Sequence, residues 1–176
     1  MRIIGGKHRG RKLKEFDING VRPTSDRARE ALFNILAFDI SDAEFSDVFC
    51  GTGAIGLEAV SRGAKVTFVD IDKNSVKLVK DNLALIKENA DVYLESAEEF
   101  FKRNQKKFNI IFLDPPYSYG EYKKLTELIA ETGALSTGGR LIIERTKKTA
   151  PEYSCKFTVT DTRNYGLNTF DFLSKR

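Results

Sequence analysis

Apolar positions along the chain fall into two alternating kinds of segment. One kind is a short continuous run: Val48-Phe49-Cys50 after Asp47, Val66-Thr67-Phe68-Val69 within Lys65–Asp70, and Ile110-Ile111-Phe112-Leu113 within Phe108–Leu113. Asp91–Leu94 and Arg140–Glu144 are similar. Runs of this length, bounded by turn residues, read as buried strands. The other kind is a spaced stripe. Ala28, Leu32, Ile35 and Leu36 recur at helical spacing after Pro23-Thr24-Ser25-Asp26, whose hydroxyls and acid suit a helix start. Val76, Leu78, Val79, Leu83 and Ile86 share a face of a helix over Asn74–Glu88. Shorter helices are expected over Ala54–Arg62, stopped by Gly63, over Ala97–Gln105, and over Glu121–Thr132, stopped by Gly133. Two strand-like runs close the chain, Cys155–Thr160 and Thr169–Leu173, separated by Asn164-Tyr165-Gly166-Leu167-Asn168.

Strands that alternate with helices predict a parallel sheet covered on both faces. The last two strands, with no long helix between them, predict an antiparallel hairpin at one edge. Ligands of such sheets bind beyond the carboxyl ends of the strands, where the strand order switches. Asp47–Gly53, Asp70, Glu95–Ala97 and Asp114–Tyr117 all fall at expected strand ends. They therefore gather on one rim.

The chemistry of that rim is suggested first by Asp114-Pro115-Pro116-Tyr117. Proline ends a strand abruptly and pushes the preceding residue to extended geometry. The result is a stiff corner carrying a carboxylate, a proline carbonyl and an aromatic face. Two acceptors and a π-face suit a flat ring that bears an amino group; a plain turn is the simpler alternative.

Gly51-Thr52-Gly53-Ala54-Ile55-Gly56 fits G-x-G-x-x-G, and Asp70 follows Gly51 by 19 residues. A tight strand-to-helix turn would explain the glycines alone. With the acid, the pattern suits a nucleotide-like cofactor whose ribose hydroxyls are held by Asp70. Nicotinamide and S-adenosyl-L-methionine (AdoMet) both qualify. Asp47, four residues before Gly51, suits the ammonium of a methionine moiety and not a pyrophosphate. The chain also leaves no room for a separate dehydrogenase substrate domain, and the Asp-Pro-Pro-Tyr corner has no work in hydride transfer. AdoMet is the expected cofactor.

Composition narrows the classes. At 176 residues, with 41% hydrophobic and 31% charged residues, the chain reads as one globular domain. No apolar run approaches the ~20 residues of a membrane span, and no secretory signal is visible. Cys50 and Cys155 have no metal-type spacing, and His8 is the single histidine. No metal, no zinc chemistry and no Ser-His-Asp mechanism are expected, and free thiols suit the cytoplasm. The net charge is only +4, but residues 1–14 carry Arg2, Lys7, Arg9, Arg11, Lys12 and Lys14 without an acid, and Arg22, Arg27 and Arg29 follow. This one-sided loading reads as a footprint for phosphates, where a solvated tail is the alternative. Gly5, Gly6, Gly10 and Ile3-Ile4 argue for a short hairpin there.

With these residues in hand, the chain resembles the RsmD family of bacterial AdoMet-dependent methyltransferases, which modify the exocyclic N2 of a guanine in 16S ribosomal RNA. The likeness runs through Arg2-Ile3-Ile4-Gly5-Gly6, Gly10-Arg11-Lys12-Leu13, the stretch from Arg22-Pro23-Thr24-Ser25-Asp26 to Leu36, Asp47 to Ala59, and Asp114-Pro115-Pro116-Tyr117. It implies a class I AdoMet-dependent methyltransferase fold. That fold is a Rossmann-like three-layer sandwich with a mostly parallel seven-stranded sheet, an antiparallel C-terminal hairpin and a short N-terminal β-hairpin arm.

The resemblance implies that Asp114, Pro115, Pro116 and Tyr117 form the catalytic turn. Gly51, Thr52 and Gly53 would meet the methionine part of AdoMet with Asp47 assisting. Asp70, where the family more often has glutamate, would hold the ribose beside Ile71. Ser96 and Ala97 would border the adenine. Lys7, Arg9, Arg11, Lys12 and Arg22 would bind RNA, in an arm of residues 1–22 preceding a methyltransferase domain of 23–176. Tyr165-Gly166-Leu167-Asn168-Thr169 matches a segment between the last strands that usually carries Asp near Leu167. Expected partners are 16S rRNA or an assembling 30S subunit, with no membrane and a monomeric enzyme. An adenine-N6 DNA methyltransferase, a non-catalytic RNA-binding protein on a nucleotide fold and a nicotinamide oxidoreductase are the rivals.

Overall fold

The structure, a computed structural model, describes residues 1–15 and 25–176. Arg22, the Pro23-Thr24 half of the expected helix start and the expected arm–domain boundary lie outside the described residues. Helix α1 spans Asp26–Ile35, and Ser25 caps it by accepting from the Ala28 N–H. The remaining elements alternate: β1 Glu44–Val48, α2 Ala54–Ser61, β2 Lys65–Asp70, α3 Lys73–Ile86, β3 Asp91–Leu94, α4 Ala97–Arg103, β4 Phe108–Leu113, α5 Tyr122–Thr132, β5 Leu135–Thr146, β6 Phe157–Tyr165 and β7 Asn168–Lys175.

The seven strands form one sheet in the order β3-β2-β1-β4-β5-β7-β6. All pairs through β5 are parallel; β7 runs antiparallel to β5 and β6. The order reverses direction between β1 and β4, which places a crevice above their carboxyl ends. Alternation along the strands feeds two cores. Ile110 and Phe112 point into the core that holds Leu32, Leu57, Val79 and Leu83 from α1, α2 and α3. Phe108, Ile111 and Leu113 point into the other, with Phe100, Phe101, Leu125 and Ile129 from α4 and α5.

The largest differences from the sequence reading are at three boundaries. The first strand starts at Glu44 and ends at Val48, not Cys50. Phe49 leaves the ladder with φ 61°, and its ring packs edge-on against Tyr119 at 5.3 Å. A bulky residue in the left-handed region is costly, and such strain collects at functional corners. Strand β5 begins five residues before Arg140, because Leu135 already pairs with Phe108; the Ser136–Gly139 stretch, with a positive φ at Gly138, bulges out of the ladder before pairing resumes at Ile110 and Arg140. The expected separator Asn164–Asn168 is mostly strand. Gly166, at φ 66°, allows a two-residue turn, so β6 reaches Tyr165 and β7 starts at Asn168.

The first fifteen residues form a hairpin closed by the Arg2–Lys12 antiparallel bridge. It lies along α2 and α3. Ile3 and Leu13 are buried in the first core. Glu58 of α2 accepts the Ile4 and Gly5 N–H groups at 2.8 and 2.7 Å, and Asn82 of α3 accepts the Lys14 N–H at 2.8 Å. Gly6 is a position where only glycine fits: its φ is 72°, and a Cβ would lie 1.9 Å from the Ser61 carbonyl oxygen.

Candidate active site on the carboxyl rim

The β1 carboxyl end turns sharply at Phe49 into Cys50–Gly53, and α2 starts at Ala54 with left-handed Gly53 as its cap. The two loop glycines have different reasons. A Cβ on Gly51 would meet nothing nearer than the Phe49 carbonyl at 4.0 Å, so this backbone borders open space. A Cβ on Gly53 would strike Val79 Cγ2 at 2.7 Å, and its N–H already donates to the Cys50 carbonyl. Gly56 has the tightest packing, with Phe68 Cε1 at 2.1 Å from a would-be Cβ. Thr52 is half-buried, its hydroxyl 3.7 Å from the Met1 sulfur.

Asp70 ends β2 and ties the loop down. One carboxylate oxygen accepts the Gly51 N–H at 2.7 Å and the other accepts the Asp72 N–H at 2.8 Å. Each oxygen keeps a lone pair for a hydroxyl on the open side. Ile71 beside it is 72% exposed, a bare apolar surface at the edge of the recess. Asp47 lies beneath the loop, almost fully buried, and accepts the Gly56 N–H at 2.8 Å. Burial pushes its carboxyl well above the usual carboxylate range, and the nearby Asp70 and Glu144 add to the rise. At the β3 end, Ser96 caps α4 in a reciprocal capping box with Glu99, and Ala97 is buried against the second core.

The Asp114–Tyr117 corner follows β4 directly. The Asp114 N–H donates to the Val48 carbonyl at 3.2 Å, which fastens the corner to the strand that carries the glycine loop. Asp114 is reachable by solvent yet closely surrounded by protein, as expected at the floor of an open recess. Its carboxyl is pushed well above the ordinary range, by desolvation first and then by Glu144 and Asp47. Among the described residues nothing donates to this carboxylate or to the Pro115 carbonyl. Pro115 is buried and Pro116 exposed; the Pro116 carbonyl accepts the Tyr119 N–H at 2.8 Å. Tyr117 is 70% exposed, its ring unused by the core.

Sequence reasoning did not single out Glu144, Tyr119 or Asn168. Glu144 ends the buried part of β5 beside Asp114 and accepts from the Asn168 side-chain amide at 2.6 Å. Its signal was present: an acid closing an apolar strand, as at Asp70 and Asp114. Tyr119 links the corner to α4 through a 2.8 Å bond to Glu98 and sits between Phe49 and Tyr122. That bond and burial both push its phenol pKa up. Asn168 reaches the rim because β7 runs antiparallel to β5, which a sequence pattern does not disclose.

The basic residues of the hairpin go elsewhere. Helix α3 starts on the rim beside Asp70 and ends on the opposite side of the sheet. Lys7 pairs there with Glu88 at 2.8 Å, His8 bonds the same carboxylate, and Arg11 reaches the Leu85 carbonyl. Arg9 and Lys12 are exposed and take no ion pair among the described residues. The hairpin tip and the Asp114 corner thus lie at opposite ends of α3.

Strand order, glycine turn and acidic rim together define a Rossmann-like methyltransferase of the AdoMet-dependent class. The family described as Conserved hypothetical protein 95 matches residues 1–174. The chain belongs to this, the RsmD family. It is 42% identical over 146 residues to ribosomal RNA small subunit methyltransferase D of Escherichia coli, covering 82% of this chain and 74% of that protein. Hypothetical protein TTHA0928 of Thermus thermophilus superposes with a TM-score of 0.85 at 30% identity, covering 98% of both chains. The fold is also shared by SMU.776, solved in complex with SAH, at TM-score 0.69 and 19% identity over 88% of this chain and 50% of that one. Among the described residues no helix is long and apolar enough to cross a membrane, and no acid, histidine and cysteine cluster suits a metal.

Proposed function

We propose that the protein methylates the exocyclic N2 of a guanine in 16S rRNA, with AdoMet as methyl donor. The observation that carries this is the juxtaposition of an acceptor-rich proline corner with a glycine turn under one acidic rim. The residues fit the donor. Asp47, Asp70 and Asp114 make no ion pair among the described residues, so the rim lacks positive charge that a sulfonium and an ammonium would bring. Gly51 leaves room for the methionine part, Asp70 has free lone pairs for ribose hydroxyls, and Ile71, Ser96 and Ala97 border the place for the adenine. AdoMet, when bound, supplies an electrophilic methyl carbon.

The protein's own groups prepare the acceptor. Enzymes that act on a base take it out of its stack. Tyr117 offers the flipped guanine an exposed aromatic face, a contact of about 1–3 kcal/mol. The Asp114 carboxylate and the Pro115 carbonyl accept the two N2 protons. This draws the nitrogen toward a pyramidal geometry and frees a lone pair otherwise conjugated into the ring. Alignment and a fixed field supply most of the acceleration. Asp114 then takes up the proton that methylation makes acidic, a task its raised affinity for protons suits.

Recognition of the RNA backbone falls to the basic N-terminal residues, Lys7, Arg9, Arg11, Lys12 and Arg22, and the protein acts as a monomer in the cytoplasm on 16S rRNA or an assembling 30S subunit. The test is transfer of a labelled methyl group to small subunits from a strain lacking this protein, with mapping of the nucleoside. N2-methylguanosine is expected, and N6-methyladenosine or no label would refute the reading. Asp114→Ala should still bind AdoMet and transfer no methyl group; retained turnover would refute the role of the corner.

A further inference from the structure

The separation of the hairpin tip from the Asp114 corner leaves a gap that RNA must bridge. Helix α3 spans it. Lys73, Lys77 and Lys80 are exposed, and spacings of four and three residues put them on one face that exposed Ala84 continues; exposed Lys87, the left-handed C-cap, follows at the helix end. At 1.5 Å per residue the line from Lys73 to Lys87 is about 21 Å long. One end is two residues past Ile71 on the rim. The other, Lys87, lies beside Lys7, Arg9 and Arg11 around the same recess.

A solvated helix face usually intersperses acids that pair with its lysines. Here none of the four lysines makes an ion pair among the described residues. The acids beside the line are already engaged: Asp72 by the first N–H groups of the helix, Asp81 by Lys14 at 3.4 Å, and Glu88 by Lys7 and His8. Like charges three and four apart weaken a helix, and Lys73 adds a cation at the positive end of the helix dipole. The N-cap carboxylate of Asp72, which accepts the Asn74 and Ser75 N–H groups, answers that end of the helix. Lys73, Lys77 and Lys80 thus stand one turn apart with no paired acid among the described residues, a repulsion that an anionic strand would relieve.

We infer that the lysine line of α3 is a track for RNA backbone phosphates, running from the hairpin tip to the rim so that one stretch of RNA meets both. This rests on the rRNA methyltransferase reading and extends it. A line of ~21 Å is long enough to meet several consecutive phosphates of one strand, so the four lysines and the tip engage a single continuous segment. Base edges face away from such a track, which therefore positions the substrate and leaves base choice to the Tyr117 pocket.

The test compares the triple variant Lys77→Gln, Lys80→Gln and Lys87→Gln with a control triple on the opposite face of the sheet, Lys102→Gln, Lys107→Gln and Lys124→Gln. Binding of deproteinised 16S rRNA is measured against salt, and methylation kinetics are measured on small subunits from the deletion strain. The α3 triple should lose about two units from the log–log salt slope, from three phosphate contacts at roughly 0.7 each. Its KM for subunits should rise on the order of tenfold, with kcat and AdoMet affinity unchanged. The corresponding Lys→Arg triple should behave like the unaltered protein, and the control triple should keep the original slope. An α3 triple with unchanged slope and KM, or a control triple that loses as much, overturns the track. If the unaltered protein itself neither binds nor methylates this RNA, the rRNA reading falls and the track falls with it.

Discussion

The hairpin and the carboxyl rim both surround carboxylates closely with protein, and they treat them in opposite ways. Under the hairpin, Glu58 is 1% exposed and satisfied from several sides. It accepts two backbone N–H groups, pairs with Arg62 at 2.9 Å and lies 3.9 Å from the Arg29 guanidinium. Arg29 is itself buried and donates to the Arg2 carbonyl and to Asp26. On the carboxyl rim, Asp47 and Asp114 are crowded by protein and by other acids. Their proton affinity is raised, and no cation among the described residues answers them. A buried acid with its own arginine is a clasp. Acids gathered without one cost stability and make sense where a cation arrives from outside.

The largest effect should come from breaking the clasp. Glu58→Ala leaves buried Arg29 with Asp26 as its remaining carboxylate among the described residues, removes the ion-pair partner of Arg62 and frees two hairpin N–H groups. About 3–5 kcal/mol should be lost, seen in urea or thermal unfolding, and the hairpin amides should exchange with solvent faster. Loss below ~1 kcal/mol would show that the two arginines do not depend on it. Smaller is the stacking contribution of Tyr117. Tyr117→Ala should weaken productive RNA engagement by about 1–3 kcal/mol, or roughly 5- to 150-fold in kcat/KM, while AdoMet binding stays unchanged.

The rim should respond with the opposite sign to the clasp. Asp114→Asn removes a disfavoured charge, so the ligand-free protein should melt at a higher temperature while losing turnover. A lower melting temperature for this variant would contradict the contrast. The pH dependence follows the same logic. Asp47 and Asp114 have folded-state pKa values raised above the unfolded ones. Their favourable contribution is complete below the ordinary carboxylate pKa of about 4 and is lost as pH rises through the raised values. The ligand-free melting temperature should therefore gain from Asp114→Asn at neutral pH and not at pH 4, and an equal gain at both would remove the charge explanation.

The contrast also explains what a sequence can show. Strand ends are legible because an acid, a glycine pair or two prolines interrupt an apolar run, and Asp47, Gly51, Asp70 and Asp114 were found that way. The β2, β3 and β4 bounds were legible for the same reason. Glu144 leaves a local pattern, an acid closing an apolar strand, but it meets Asn168 only through the antiparallel return of β7, and Tyr119 reaches the corner through the path after the prolines, which leaves none. The Phe49 turn looked like strand because its side chain is apolar, whereas its φ is set by the packing of its ring on Tyr119. The hairpin's basic residues were legible as a charge cluster, but their place at the far end of α3 follows from Glu58, Ser61 and Glu88, which bind it there and which read locally as ordinary helix-surface polar residues.

The central claim is that the rim is built to receive a positively charged cofactor beside the Asp114 corner. Calorimetric titration of the protein with AdoMet near neutral pH, repeated in buffers of different ionisation enthalpy, tests it most directly. One equivalent should bind, with protons released as the cation lowers the affinity of Asp47 and Asp114 for them, and Asp114→Asn should bind with less release. Absence of binding at millimolar AdoMet, or binding with no proton exchange in any buffer, would contradict the account.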